Sequence, residues 1–278
     1  MIKLIFLGSG SAFTVGKDNF QSNMLIVNEQ NHKLLIDCGT DIRLSLHKAG
    51  FSHSDITDIY ISHLHADHVG GLEYIAFNTF FDPKCQRPKL YTSKDIASDL
   101  WDRTLSGGLR FLTGDIANMD NFFEQEKIKH EGYFYWEGIQ FNLVKVTHVD
   151  SGYYLMPSYG LFFQVETVNI FITTDTQLCL KTNQKFYEQA DIIFHDCETS
   201  LYPSPVHATY KQLTTLPETI KNKMWLYGYQ PVSLPDAKKD GFRGFVQRGQ
   251  IFEFPPLIPE YRRELGIGNW EKREEKSF

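Results

Sequence analysis

Residues 62–72 read SHLHADHVGGL, and the reading of the whole chain turns on this stretch. His63, His65, Asp67 and His68 put four metal-ligating side chains into six residues, in a chain with only 10 histidines among 278 residues. At that usage the pattern arises by chance roughly once in a thousand such chains. DITDIYI (55–61), just upstream, reads as a buried strand. Imidazole and carboxylate ligands suit Zn, Mn or Fe, and a run without Cys argues against a purely structural thiolate site. In a loop leaving a strand, alternate residues point in opposite directions. His63 and His65 can therefore reach one ion while Asp67 and His68, opening the next helix, reach a second. Gly70 and Gly71 permit a close backbone approach at that point. Two ions held by one short loop sit close together, and a pair about 3.5–4 Å apart clamps the attacking and leaving oxygens of a hydrolysis.

Composition sets the frame. A chain that is 42% hydrophobic and 22% charged is ordinary globular material with ample core. A net charge of −6 gives no global basic field for nucleic acid or an anionic membrane, so an anionic substrate must be drawn locally, by metal charge. No apolar stretch reaches spanning length, and MIKLIFLGSGSAF has too short an apolar run for a secretion signal. Cys38, Cys85, Cys179 and Cys197 are widely spaced without a C-x-x-C pair, which fits reduced thiols and a cytoplasmic protein with no membrane partner.

Strands are expected at 1–7, 23–27, 33–37, 55–61, 89–92, 133–136, 139–146, 159–166, 169–174, 191–195, 224–229 and 249–254, the last as a terminal hairpin piece. Helices are expected at about 40–49, 69–80, 94–105, 182–190 and 207–221, with 106–115 as loop. Two similar αβ halves packed sheet to sheet follow, as one domain over 1–254, with a charged, aromatic tail at 255–278 that wraps the body or a second subunit.

Six residues outside the hexapeptide could complete or serve the site: Asp37, His148, Asp175, His195 and Asp196 at strand ends, the usual place for ligands from distant segments to converge, and His207 in SPVHATY. Each alone has an ordinary explanation, as hydrogen-bonded structure or a helix cap. Together they matter because two ions need about seven or eight ligands and the hexapeptide gives four. A carboxylate such as Asp175 has two oxygens to divide between ions. His32, His47, His53 and His130 read as solvated surface. The stretch from Gly10 through Gly16 and Lys17 to Asp18 has the wrong glycine spacing, and lacks the Ser or Thr, for a phosphate-cradling loop. Tyr153, Tyr154 and Tyr159 could stack a base, though sheet packing is the commoner role for such residues.

The series LGSGS, LLIDCG, ISHLHADHVGGL, a later strand-end His, a later strand-end Asp and a final His resembles the metallo-β-lactamase superfamily across about residues 1–254. The resemblance implies an α/β fold, a four-layer αβ/βα sandwich with metals at the shared edge of two sheets. It implies that His63, His65 and His148 hold the first metal, that Asp67, His68 and His207 hold the second, that Asp175 bridges, and that Asp37 supports the His loop from behind. LGSGSAF with NFQSNMLIV is similar to the phosphodiesterase branch, which includes ribonuclease Z and phosphoribosyl cyclic phosphate phosphodiesterase. ADIIFHDCETS resembles the ribonuclease Z segment that supplies a proton-donating His, which gives His195 that role.

Two features depart from that branch. MWLYGYQP replaces its usual Leu-Thr-His strand. Only 26 residues separate His148 from Asp175, too few for the tRNA-gripping arm of ribonuclease Z. The stretch from Pro83 to about residue 130 is roomy enough for a lid or dimer surface.

The reading is thus a metal-dependent hydrolase with two divalent ions, Zn first and Mn or Fe as options. It cleaves a small or cyclic nucleotide-like phosphodiester through a water shared by the ions, oriented and deprotonated by Asp67, with His195 protonating the leaving oxygen. The resemblance implies a homodimer. The alternatives are an RNA-processing endonuclease, a thioester or lactone hydrolase using the same metals, and a non-catalytic metal or nucleotide sensor.

Overall fold

Burial alternates along the strands, and that alternation assigns each side chain to a layer. The computed structural model describes residues 1–15 and 18–254; the expected tail at 255–278, and Gly16 and Lys17, lie outside the described residues. The strands are β1 (Ile2–Phe6), β2 (Met24–Val27), β3 (Lys33–Ile36), β4 (Asp58–Ile61), β5 (Lys89–Ser93), β6 (Phe111–Leu112), β7 (Asp115–Ile116), β8 (Glu124–Ile128), β9 (Tyr133–Trp136), β10 (Ile139–Lys145), β11 (Tyr159–Val165), β12 (Val168–Ile172), β13 (Ile192–Asp196), β14 (Met224–Tyr227), β15 (Gly244–Phe245) and β16 (Ile251–Phe254). One seven-stranded sheet runs β16-β1-β2-β3-β4-β5-β8 and a second runs β15-β14-β13-β12-β11-β10-β9, with β6 and β7 as a separate ribbon. The segment at 249–254 therefore forms no local hairpin. Its strand, β16, pairs antiparallel with β1 at the other end of the chain.

Three hydrophobic clusters separate four layers. Leu4, Phe6, Ile26, Ile36 and Tyr60 of the first sheet meet Phe141, Leu161, Ile172 and Phe194 of the second between the sheets. The opposite face of the first sheet, with Ile5, Leu25, Leu35 and Ile59, packs on helices α1 (Ile42–Lys48) and α3 (Leu72–Phe81). The outer face of the second sheet, with Val144, Phe171, Ile193 and Leu226, packs on α7 (Leu180–Gln189) and the short helices α8 (Tyr210–Leu213) and α9 (Glu218–Lys221). This is the expected α/β four-layer sandwich. No helix of the described residues is long and apolar enough to cross a membrane.

Three local expectations change. The expected helix at 94–105 is α4 (Lys94–Asp99), continued through a π-helical turn at Leu100–Leu105 into α5 (Ser106–Leu109), so the expected loop at 106–115 begins as helix. The expected helix at 207–221 breaks into α8 and α9, because Pro217 lacks an N–H and starts a new turn instead of continuing the old one. β8 forms where no strand is expected; its residues EQEKI carry charge on an edge strand, where charge blocks further pairing. Between β7 and β8 the one-turn α6 (Met119–Phe122) packs beneath α3.

Candidate metal centre

The His-rich loop leaves the C-terminal end of β4 and folds back through the one-turn helix α2 (Ala66–Val69) into α3. It lies directly on the Cys38–Gly39 backbone: Cys38 N–H donates to the His68 carbonyl at 2.7 Å, and Gly71 N–H donates to the Cys38 carbonyl at 2.8 Å. A β-carbon on Gly39 would stand 2.1 Å from the Asp67 carbonyl oxygen, so no larger residue fits beneath the loop.

Asp37, in the left-handed region at φ 62°, orients the loop from behind. Its Oδ1 accepts from Ser62 N–H at 2.8 Å, and its Oδ2 accepts from the Ser62 hydroxyl at 2.8 Å and from His68 Nδ1 at 2.7 Å. With its own proton spent on Asp37, Ser62 Oγ is left to accept from His63 Nδ1 at 3.0 Å. These bonds fix His63 and His68 with Nε2 turned forward. In the sequence Ser62 is marked only by its place between the strand and His63.

Three imidazole nitrogens converge in front of Asp37. His65 Nδ1 lies 3.1 Å from His63 Nε2 and 3.0 Å from His148 Nε2. The other nitrogen of His148 donates to the Val206 carbonyl at 2.9 Å, again leaving Nε2 forward. Asp175 completes this four-residue group, and Asp67, His68 and Asp175 form an adjoining group of three. A single oxygen, Asp175 Oδ2, stands 3.9 Å from His63 Nε2, 3.8 Å from His148 Nε2, 3.2 Å from His68 Nε2 and 4.0 Å from His207 Nδ1.

The donor set fits divalent cations. Tetrahedral Zn–N bonds of about 2.0–2.1 Å place neighbouring nitrogens roughly 3.3 Å apart, close to the spacing of His63, His65 and His148. His68 Nε2 is buried without a hydrogen-bond partner while facing the Asp67 and Asp175 carboxylates, a cost that a bound cation would remove. Burial, with like charge from His68 next, holds His63 well below its ordinary pKa; burial lowers His65 and brings His148 down to about 4. These three are neutral and ready to ligate at pH 7. His68 goes the other way. Burial lowers it, but Asp175, Asp67 and Asp37 together outweigh burial and hold it well above the usual imidazole range.

His207 comes to the site by a different route from the one expected. Its Nδ1 bonds Asp196 Oδ2 at 2.6 Å, and its ring lies beside that of His148 with centroids 5.0 Å apart. It groups with Asp175 and Asp196 instead of with Asp67 and His68. Thr176 N–H donates to the same Asp196 oxygen at 3.0 Å. Burial lowers the pKa of His207, but the charge of Asp196 and its hydrogen bond, with Asp175 and Glu198, raise it to about 10.

His195, the residue expected to donate a proton, is not among the side chains that converge on Asp175. It is fully buried, with Nε2 against the Tyr187 hydroxyl of α7 at 2.7 Å and Nδ1 on the Asp196 carbonyl at 2.6 Å. Successive residues of β13 point to opposite faces. Phe194 enters the core between the sheets and Ile193 the helical layer, so His195 faces the helices and Asp196 faces the metal edge. Burial lowers the pKa of His195 to about 4, so it is neutral at pH 7, with its one N–H held by the Asp196 carbonyl.

Tyr159 is likewise not a base platform: it is buried at the start of β11, its hydroxyl bonded to Asp95. Tyr153 and Tyr154 are exposed on the loop that follows His148, where Asp150 bridges to Leu155.

A family model described as Anti-Pycsar protein Apyc1 matches residues 2–252 of this chain. Relatives called Anti-Pycsar protein Apyc1 include one from Paenibacillus harenae, 32% identical over 226 residues, spanning 80% of this chain and 88% of the relative. Another, from Bacillus phage vB_BveM-Goe7, is 30% identical over 259 residues, spanning 89% and 96%. Among solved structures, a diphosphatase from the PhnP family superposes with a TM-score of 0.69 at 19% identity, covering 93% of this chain and 100% of its own. The short form of human tRNase Z superposes with a TM-score of 0.65 at 17% identity, covering 91% and 99%. These likenesses carry the metallo-β-lactamase fold.

Proposed function

The chain belongs to the Anti-Pycsar protein Apyc1 family, and we propose that it is a metal-dependent hydrolase that cuts a phosphodiester in a small or cyclic nucleotide. The observation that carries this reading is the position of Asp175 Oδ2, within 4.0 Å of imidazoles from both ligand groups, where its carboxylate would be available to more than one cation. In the proposed assignment His63, His65 and His148 would hold one ion, Asp67 and His68 would hold the other, and Asp175 would serve both. Zinc is the proposed resident ion by ligand type, and the proposed setting is a cytoplasmic homodimer. Bound divalent cations supply Lewis-acid chemistry and acidify water at neutral pH.

The chain's own residues then divide the proton traffic. Asp67, which stands 3.1 Å from His68 Nε2 at this edge of the site, would orient the attacking water and accept its proton. As the new P–O bond forms, the bond to the leaving oxygen breaks and that oxygen needs a proton. His207 takes the role first read onto His195. Asp196 fixes its Nδ1 and keeps it protonated, which leaves Nε2–H as the donor.

The test is hydrolysis of bis(p-nitrophenyl) phosphate after chelation and metal add-back, run beside cyclic nucleotides, cyclic dinucleotides, phosphoribosyl cyclic phosphate and a tRNA precursor. Turnover of a small diester that is lost with chelation and restored with metal supports the proposal. No turnover of any of them by reconstituted protein sinks it and leaves the sensor reading. Cleavage of the tRNA precursor alone favours the nuclease. That reading has less physical support, because a short loop with β11 and β12 fills the interval where the gripping arm would lie, and the net charge is −6.

A further inference from the structure

A second group of ligand side chains lies where neither the metal loop nor the proton traffic makes use of it. His53 opens the one-turn 3-10 helix His53–Asp55 that leads into β4, Asp82 caps the C-terminus of α3, and Cys85 sits in the turn beyond. One ligand atom from each falls within 4.8 Å of the other two. Asp82 Oδ1 is spent on Lys84 N–H at 2.9 Å, and Oδ2 stands 4.0 Å from His53 Nε2. At that separation imidazole and carboxylate make no hydrogen bond to each other. Cys85 N–H donates to the Asp82 carbonyl at 3.0 Å, closing a tight turn that brings the thiol back towards the carboxylate. All three residues are half-buried. The same turn walls a cavity of about 450 Å³ lined by Thr79, Phe80, Asp82, Pro83, Cys85 and Arg87, among others.

We propose that His53, Asp82 and Cys85 bind a divalent transition ion, zinc by ligand type, with the fourth position left to water. Imidazole, carboxylate and thiolate are all established zinc donors. Tetrahedral bonds of about 2.0–2.3 Å place donor atoms roughly 3.3–3.8 Å apart, so the 4.0 Å between His53 and Asp82, and a thiol within 4.8 Å of both, close with shifts of up to about 1 Å in half-buried turns. The location gives the ion a purpose. β4 runs into the His-rich loop and α3 runs out of it, and this group joins the far ends of the two elements. An ion there would clip the base of the β4–loop–α3 unit whose tip carries His63, His65, Asp67 and His68. The proposal stands apart from the catalytic reading, since it needs neither the substrate nor turnover.

The catalytic groups offer only nitrogen and oxygen, so a thiolate-specific signal separates the two sites. Metal-free protein titrated with cobalt(II) is expected to develop a sulfur-to-cobalt charge-transfer band in the near ultraviolet. Cys85→Ser and His53→Ala should abolish or strongly weaken that band, and should hold one equivalent less zinc by elemental analysis after dialysis. Cys38→Ser and Cys197→Ser should keep both the band and the zinc. Absence of the band in unaltered protein, its survival in Cys85→Ser, or equal zinc content in unaltered and Cys85→Ser protein would each overturn the proposal. Both test residues lie in partly exposed turns, so the variants are expected to fold, and retained bis(p-nitrophenyl) phosphate turnover would show that the catalytic pair is still loaded.

Discussion

Gly228 yields its side-chain volume to Asp196. A β-carbon built on Gly228 falls 2.6 Å from Asp196 Oδ1, and the backbone there has φ +77°. Gly228 directly follows β14, in the segment where the resembling branch ends its strand with His. Here no side chain projects, and the Asp196 carboxylate fills the space and holds His207. Gly228→Ala therefore meets both a left-handed backbone, costing about 1–2 kcal/mol, and a clash with a buried carboxylate. The expected result is a Tm lower by roughly 2–8 °C. kcat/KM should fall at least tenfold, because Asp196 must move off His207. An unchanged Tm and kcat/KM would show that Asp196 can relax freely and does not position His207.

His195 and His207 give opposite signatures. His195→Gln removes a buried partner of the Tyr187 hydroxyl and should cost about 1–3 kcal/mol of stability. Its residual turnover should keep the same ratio between alkyl and nitrophenyl phosphodiesters. His207→Asn should leave stability closer to normal but cut alkyl diester hydrolysis by roughly 10²–10⁴-fold, with a much smaller loss on nitrophenyl esters that need no proton. Equal losses on both substrates for His207→Asn would remove it as the donor.

That pair also marks how far the chain could be read in advance. The meeting of the hexapeptide with the strand ends at His148 and Asp175 was legible, because a short loop with four potential ligands calls for further donors from neighbouring strand ends, while the place of Asp37 behind the loop came from the resemblance. The choice between His195 and Asp196 was not legible. Ile192, Ile193 and Phe194 are apolar on both faces of a strand that is covered on both sides, so no polar alternation sets its phase. β8 escaped for the opposite reason, its charges hiding an edge strand. The His53, Asp82 and Cys85 group was invisible for a third. Its members are scattered over 33 residues, and His53 alone reads as solvated surface. Only the return of α3 alongside the start of β4 brings them together.

Asp37 should matter to metal affinity without touching metal. Asp37→Ala leaves Ser62 N–H, the Ser62 hydroxyl and His68 Nδ1 without their common acceptor. Outer partners of this kind are worth about 10–100-fold in metal affinity. Chelator competition should show a weakening in that range. Asp37→Asn, which keeps an acceptor oxygen, should recover part of it. Full affinity in Asp37→Ala would mean that packing alone orients the loop.

Metal loading should release protons, and their source is specific. His63, His65 and His148 have lowered pKa values, so they are neutral in metal-free protein at pH 7 and have nothing to give up. His68 is raised well above its ordinary value and holds a proton that a cation on its Nε2 must displace. The sign follows. Protons compete with metal, so apparent affinity rises with pH, by up to tenfold per unit for each proton displaced, while His68 is still protonated in the metal-free state, and it falls as the solution is acidified. Zinc titration by calorimetry in buffers of different ionisation enthalpy would count the protons at pH 7. Unaltered protein should release about one more proton than His68→Ala under the same conditions. Equal release from the two proteins would place the displaced proton elsewhere, with His207, raised to about 10 beside Asp196, the next group to examine.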